Sequence, residues 1–93
     1  MRLGIVTAQI SIPESRSLKD KRSVLRSMKD RAVLKMNVSV AEVGQQDQWR
    51  FADMAFVTVV ATTEVVQRRI SEITRFLQSD PRYVLMDVQT EIM

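Results

Sequence analysis

The chain has 93 residues, of which 45% are hydrophobic and 27% charged, with a formal net charge of +3. It contains no Cys and no His, which excludes disulfide bonds, thiol nucleophiles and the commonest ligands of zinc and haem. No segment approaches the ~18 apolar residues of a membrane-spanning helix, and the N-terminus lacks the pattern of a signal peptide. We therefore expect one soluble, cytoplasmic domain over residues 1–93, with no cofactor and no membrane contact.

The first predicted elements are a strand and a helix. Every second residue over positions 4–12 is small or apolar, which is typical of a strand with one buried face, and Pro13 ends it. Ser17, followed three residues later by Asp20, forms a variant capping box, so a helix begins there and runs to about Lys35. Asn37 closes this helix. Its apolar positions share one arc, which we expect to face the core: Leu18, Leu25, Met28, Ala32 and Met36.

Three further strands and a second helix follow. Residues 38–43 are rich in β-branched side chains and predict a strand that Gly44 stops. The apolar run 54–62 predicts a central strand, and the polar connection between the two predicts a hairpin. Thr62 or Thr63 caps the second helix, whose buried stripe is Val66, Ile70, Ile73 and Leu77. Asp80 and Pro81 end this helix. In residues 83–92 apolar and polar side chains alternate, which predicts an antiparallel strand with one more polar face.

The resulting order, βαββαβ, predicts a ferredoxin-like α+β fold with two helices on one face of a four-stranded antiparallel sheet. The open face should then keep apolar residues such as Leu3 and Ile5, with Phe56 or Val57 depending on the register. A monomer would make that face polar, so we expect a homodimer through it or through a sheet edge. The alternative is a monomer in which the loop that carries Trp49 covers the face.

Positive charge is concentrated on the first helix. Residues 16–35 hold eight basic and two acidic side chains, a net +6, whereas the rest holds six basic and nine acidic, a net −3. Lys19, Arg22, Arg26 and Lys29 share a narrow arc roughly 15 Å long beside the apolar stripe. This pattern favours a non-enzymatic protein that binds RNA or a ribosome assembly intermediate through phosphates. The alternative interpretation is an ordinary solvated helix face.

Five other residues are candidate contacts. Arg16, Lys21 and Arg31 would add to the positive field of the same helix. Trp49 and Arg50 lie in the polar loop before the central strand. Trp49 could stack on a base or anchor a protein partner, or it could instead pack on the sheet edge.

No motif predicts a reaction. Glu42, Asp47 and Arg50 around the hairpin could serve an unrecognised hydrolase or transferase, but no cue for a shifted carboxylate pKa is visible. A small-ligand regulatory or protein-interaction domain is a further alternative. RNA on the sheet is not expected, because the first strand has no aromatic residue to stack on a base.

Two blocks of sequence, RSLKDKR at 16–22 and NVSVAEVG at 37–44, followed by Gln46-Asp47 and Trp49, resemble the YlxP-like family of small uncharacterised bacterial proteins. The resemblance covers essentially the whole chain and implies a ferredoxin-like fold but no established activity. The family's genes lie near those of transcription and translation factors and a ribosome-maturation factor, which implies a connection to RNA by association. The chain departs from the family pattern at Gln45, where His is frequent, and at Arg50-Phe51.

Overall fold

The computed structural model describes residues 1–93, and it confirms the predicted order βαββαβ. The elements are β1 Arg2–Ser11, α1 Leu18–Lys35, β2 Ser39–Gly44, β3 Phe51–Val60, α2 Thr63–Leu77 and β4 Val84–Ile92. The sheet order is β2-β3-β1-β4, and all neighbouring strands are antiparallel, as in the ferredoxin-like fold. Neither α-helix has the length and hydrophobicity that a membrane span requires.

Side chains cap both helices at their N-termini. The Ser17 hydroxyl accepts a hydrogen bond from the Asp20 N–H at 3.0 Å, and the Asp20 carboxylate accepts one from the Arg16 N–H at 2.9 Å. This confirms the variant capping box. At α2 the Thr62 hydroxyl accepts from the Val65 N–H at 3.3 Å, so Thr62 is the cap. Each cap satisfies an N–H that the helix itself leaves free.

Several predicted boundaries were wrong. β1 begins at Arg2 and not at Gly4, and β2 spans Ser39–Gly44, so Gly44 belongs to the strand that it was expected to stop. The C-cap of α1 is Met36 and not Asn37. β3 begins at Phe51, three residues before the apolar run, because β1 is long enough to pair with it from Arg2 to Ser11. The polar Asp53 belongs to β3 and pairs with Gln9 on the open side of the sheet, so alternation, rather than an unbroken apolar run, marks the start of this strand.

The core lies between the sheet and the helices. The predicted stripe residues Leu25, Met28, Val66, Ile73 and Leu77 are buried, while Ile70 is half-buried against the core and Leu18 is half-buried. Their partners are the alternating residues of β1 and β3: Val6, Ala8, Ile10, Ala52, Met54 and Phe56. α1 packs beside β2, and α2 packs over β1, β3 and β4.

The open face of the sheet is apolar at one end and polar in the middle. Val57 pairs with Ile5 and is 36% exposed, whereas Phe56 is fully buried on the other face. The neighbouring pair Leu3 and Val59 continues the apolar end. Trp49 keeps about half of its surface exposed. The homodimer through this face stays a prediction.

Candidate anion-binding ridge and groove

Four basic side chains of α1 form an exposed row, here called the basic ridge: Lys19, Arg22, Arg26 and Lys29. All four are exposed, as their common helical arc predicts. None of them makes an ion pair or a side-chain hydrogen bond within the protein. The basic ridge therefore presents positive charge that the fold does not neutralise.

Beside the basic ridge, α1 and the edge strand β2 enclose a groove of about 310 Å³. Arg22, Arg26 and Lys29 form one wall, whereas Lys19 does not line it. The floor consists of core side chains that are almost fully buried: Leu25, Val40 and Met54. Ala41 and Glu42 of β2 line the opposite side, so the groove combines cations, apolar surface and one carboxylate.

Lys21, which we expected to contribute to an external field, is instead buried at 1% exposure. Its ammonium lies 2.8 Å from Oε2 of Glu42 and donates to the carbonyl oxygens of Gln45 at 2.9 Å and Phe51 at 3.1 Å. Two hydrogen bonds to carbonyl oxygens, together with the ion pair with Glu42, compensate the buried charge. Lys21 is therefore a structural residue and is not available to an external phosphate.

These contacts fix the loop between β2 and β3. Gln45 adopts a left-handed backbone conformation, with φ of 58°, and its side-chain amide donates to Asp53 Oδ1 at 3.0 Å. Gly44 leaves room for that carboxylate, because a Cβ at position 44 would lie 2.5 Å from Asp53 Oδ2. Lys21 donates a hydrogen bond to the Gln45 carbonyl, and the Gln45 side chain donates one to Asp53. These two hydrogen bonds offset the strain that a non-glycine residue has at positive φ.

The other candidate contacts are scattered. Arg31 binds Asp80 at 2.9 Å and lies 5.2 Å from the centre of the Phe76 ring, on the side of α1 that faces α2. Arg50 donates to the Ser15 carbonyl at 3.1 Å, which ties the loop to the start of α1. The side chain of Arg16 is exposed, and neither it nor Trp49 lines the groove.

Asp80 joins two arginines at the surface. Its carboxylate lies 2.7 Å from Arg82 and 2.9 Å from Arg31. The hydrogen bonds from Arg82 lower the pKa of Asp80 to about 2, against an opposing effect of burial. Burial raises the pKa of Tyr83 beside this cluster. The same pairing raises the pKa of Arg82.

The residues considered for acid–base chemistry have separate roles. Glu42 is paired with Lys21, Arg50 binds a backbone carbonyl, and Asp47 is exposed without a partner. Neither Asp47 nor Arg50 lines the main surface depressions. The structure does not assemble these three side chains into a common pocket.

The chain is similar to known proteins over nearly its whole length. Residues 3–90 match the family described as a protein of unknown function, DUF503. The chain belongs to that family. It is 28% identical to the uncharacterized protein YlxP of Bacillus subtilis (strain 168) over 89 residues, which are 96% of this chain and 97% of the relative. The resemblance drawn from the two sequence blocks is thereby confirmed, and in space those blocks meet where Lys21 binds Glu42.

The pairing of Lys21 with Glu42 was missed in the sequence, although one signal for it was present. Lys21 lies four residues before Leu25 and seven before Met28, so it falls on the apolar stripe and not on the basic arc. A Lys on the buried stripe requires an acceptor across the core. Glu42 is the one carboxylate of β2, the strand that packs beside α1.

Proposed function

We propose that this protein is a non-enzymatic RNA-binding protein whose basic ridge contacts phosphates. The observation that supports the proposal is that Lys19, Arg22, Arg26 and Lys29 are exposed together and lack any anionic partner in the fold. The ion pairs that the protein does form use Lys21, Arg31 and Arg82. Cations left without partners along one helix attract a polyanion and release its counterions on binding.

The distribution of charge gives further support. The chain carries +3 overall, yet residues 16–35 alone carry +6. The negative remainder would repel a polyanion elsewhere, which favours one binding surface over general adhesion. The partner that we propose is ribosomal RNA, free or in an assembly intermediate. Native complexes isolated with and without ribonuclease treatment would identify it, and retention of the same partner after ribonuclease treatment would favour a protein contact instead.

A charge-reversal experiment tests the proposal directly. In one variant the four ridge residues become Glu. In the control, four other exposed cations without ion pairs become Glu and change the net charge equally: Arg2, Lys35, Arg68 and Arg75. We expect the ridge variant to lose RNA binding in a filter or anisotropy assay and the control to retain most of it, since the binding depends on where the charge lies.

Salt dependence supplies a second measurement. If four phosphates are neutralised on a single strand, log K should fall with log salt with a slope of about −3. Loss of the ridge should reduce this slope towards zero. Equal RNA binding by the wild type and the ridge variant, with both folded by circular dichroism, would show that the basic ridge is only a solvated face.

A further inference from the structure

The groove beside the basic ridge offers more than charge, and this inference about it rests on the proposed function. A site for phosphates alone needs only cations, yet Leu25, Val40 and Met54 add an apolar floor below the cationic wall. Apolar surface beside phosphate-binding cations suits a ligand whose charged groups are covalently attached to flat, weakly polar rings. A nucleotide has this composition.

Glu42 gives the groove a hydrogen-bond acceptor. Its Oε2 is held by Lys21 at 2.8 Å, and Oε1 makes no hydrogen bond or ion pair within the protein. The side chain is 23% exposed and lines the groove. A fixed carboxylate of this kind accepts hydrogen bonds from the amino group of a base, as Glu and Asp do from the N4 amino group of cytosine.

The same carboxylate argues against an acidic peptide. The side chains of such a peptide would be attracted to Arg22 and Arg26 but repelled by Glu42 on the other side of the groove. A nucleotide avoids this conflict, because its negative charge is on the backbone and its amino donors are on the base. The two sides of the groove are thus complementary to the two ends of one nucleotide.

The strand next to the groove adds hydrogen-bonding groups. β2 is at the edge of the sheet and pairs only with β3, so alternate N–H and C=O groups of Ser39–Gly44 point away from the sheet. A base in the groove can use such groups only if its own edge is free. In duplex RNA the Watson–Crick edges are paired, and the deep major groove does not admit protein side chains.

We infer that the groove between α1 and β2 binds a nucleotide of single-stranded RNA that carries an amino-bearing base. The base lies over the exposed edges of Leu25 and Val40 at the floor of the groove, and its amino group donates to Glu42 Oε1. The flanking phosphates lie along Arg22, Arg26 and Lys29, which span about 10 Å of the helix. Cytosine, adenine and guanine, which carry amino groups, are favoured over uracil, whose single N3–H donor lies between two carbonyl oxygens that the carboxylate repels.

Ligand-side comparisons test this inference without altering the protein. Labelled oligo(C), oligo(A) and oligo(U) of one length, and a duplex, are titrated in an anisotropy assay at fixed salt, with oligo-glutamate as a competitor. We expect oligo(C) and oligo(A) to bind at least about fivefold more tightly than oligo(U), and more tightly than the duplex. Equal binding of oligo(C) and oligo(U), equal binding of the duplex, or competition by oligo-glutamate as effective as by oligo(C) would overturn the inference.

Two matched variants test the role of Glu42. Glu42→Gln keeps a carbonyl oxygen for Lys21 but presents a neutral amide, which both donates and accepts, so the ratio of oligo(U) to oligo(C) dissociation constants should fall towards one. Glu91→Gln on β4, an exposed carboxylate far along the sheet from β2, makes the same charge change and should leave the ratio unaltered. Undiminished discrimination by a folded Glu42→Gln protein would overturn the assignment of Glu42.

The outcomes separate this inference from the proposed function. If the ridge variant binds RNA as the wild type does, both fail. If the ridge variant loses binding but the wild type does not discriminate among the oligonucleotides, the basic ridge is an RNA contact and only the nucleotide site in the groove is wrong. If Glu42→Gln does not fold, the comparison of oligonucleotides on the wild type still decides the inference.

Discussion

Lys21 and Arg26 lie five residues apart on α1, yet the structure uses their charges in opposite ways. Lys21 is 1% exposed, donates to two carbonyl oxygens and forms an ion pair with Glu42, whereas Arg26 is exposed and has no such partner. The difference arises from what lies opposite each side chain, a carboxylate and two carbonyls in one case and an open groove in the other. A cation therefore serves the fold where acceptors surround it and remains available for a partner where they do not.

Arg31, on the same helix, is an intermediate case. It binds Asp80 at the surface, where its side chain is 40% exposed. The free energy that an ion pair contributes depends on its burial and on whether a removed partner leaves a buried charge unpaired. Substitutions at Lys21, Arg31 and Arg26 should therefore differ in their effect on stability.

The largest effect is expected at Lys21. Lys21→Met keeps the apolar stem but leaves Glu42 and two carbonyls without their donor, which should lower the free energy of unfolding by about 3 kcal/mol. Urea denaturation measures this loss. Adding Glu42→Gln should restore part of it, because the unpaired carboxylate is then removed. A wild-type midpoint for Lys21→Met would contradict the structural role of the ammonium.

A smaller effect is expected at Gly44. Gly44→Ala places a Cβ against the Asp53 carboxylate and should cost about 1–2 kcal/mol as an overpacked contact. A thermal melt gives the change. In an Asp53→Ala background the same substitution should cost less, because the obstructing carboxylate is absent. Equal costs in both backgrounds would show that Asp53 is not the obstacle.

The Asp80 cluster should contribute less still, and in a pH-dependent way. Because the folded-state pKa of about 2 lies below the ordinary 3.8, the stabilisation is complete above about pH 4 and is lost as the pH falls towards 2. Asp80→Asn should therefore lower the melting temperature at pH 6, by an amount equivalent to at most about 1 kcal/mol, and make little difference near pH 2. Asp87→Asn, at an exposed position, is the control. A constant difference from pH 6 to pH 2 would refute the role of ionised Asp80.

The smallest effect on stability is expected at the basic ridge. Replacing Arg22 and Arg26 together by Gln should change the free energy of unfolding by no more than about 0.5 kcal/mol, because neither residue has a partner to lose. The same variant should bind RNA at least about tenfold more weakly at low salt. A large loss of stability would mean that these residues support the fold, and would remove the contrast with Lys21.

The amino-acid sequence alone determined the order of elements and most of the core. Period-2 alternation in β1, the stripe of α2 and the cap at Ser17 are local patterns whose physical meaning does not depend on distant residues. The exposed basic arc of α1 followed from helical geometry in the same way. The start of β3 was missed because Phe51 and Asp53 become strand residues only by pairing with β1.

Only the tertiary structure decided which charges are free. Lys21 and Glu42 are 21 positions apart, and their contact depends on how α1 lies across the edge of the sheet. The groove has the same origin, since Arg22 and Arg26 of α1 face Ala41 and Glu42 of β2 only after the helix has packed. Helical periodicity places a side chain on a face, but its partner across the core is fixed by the packing of elements that are distant in the chain.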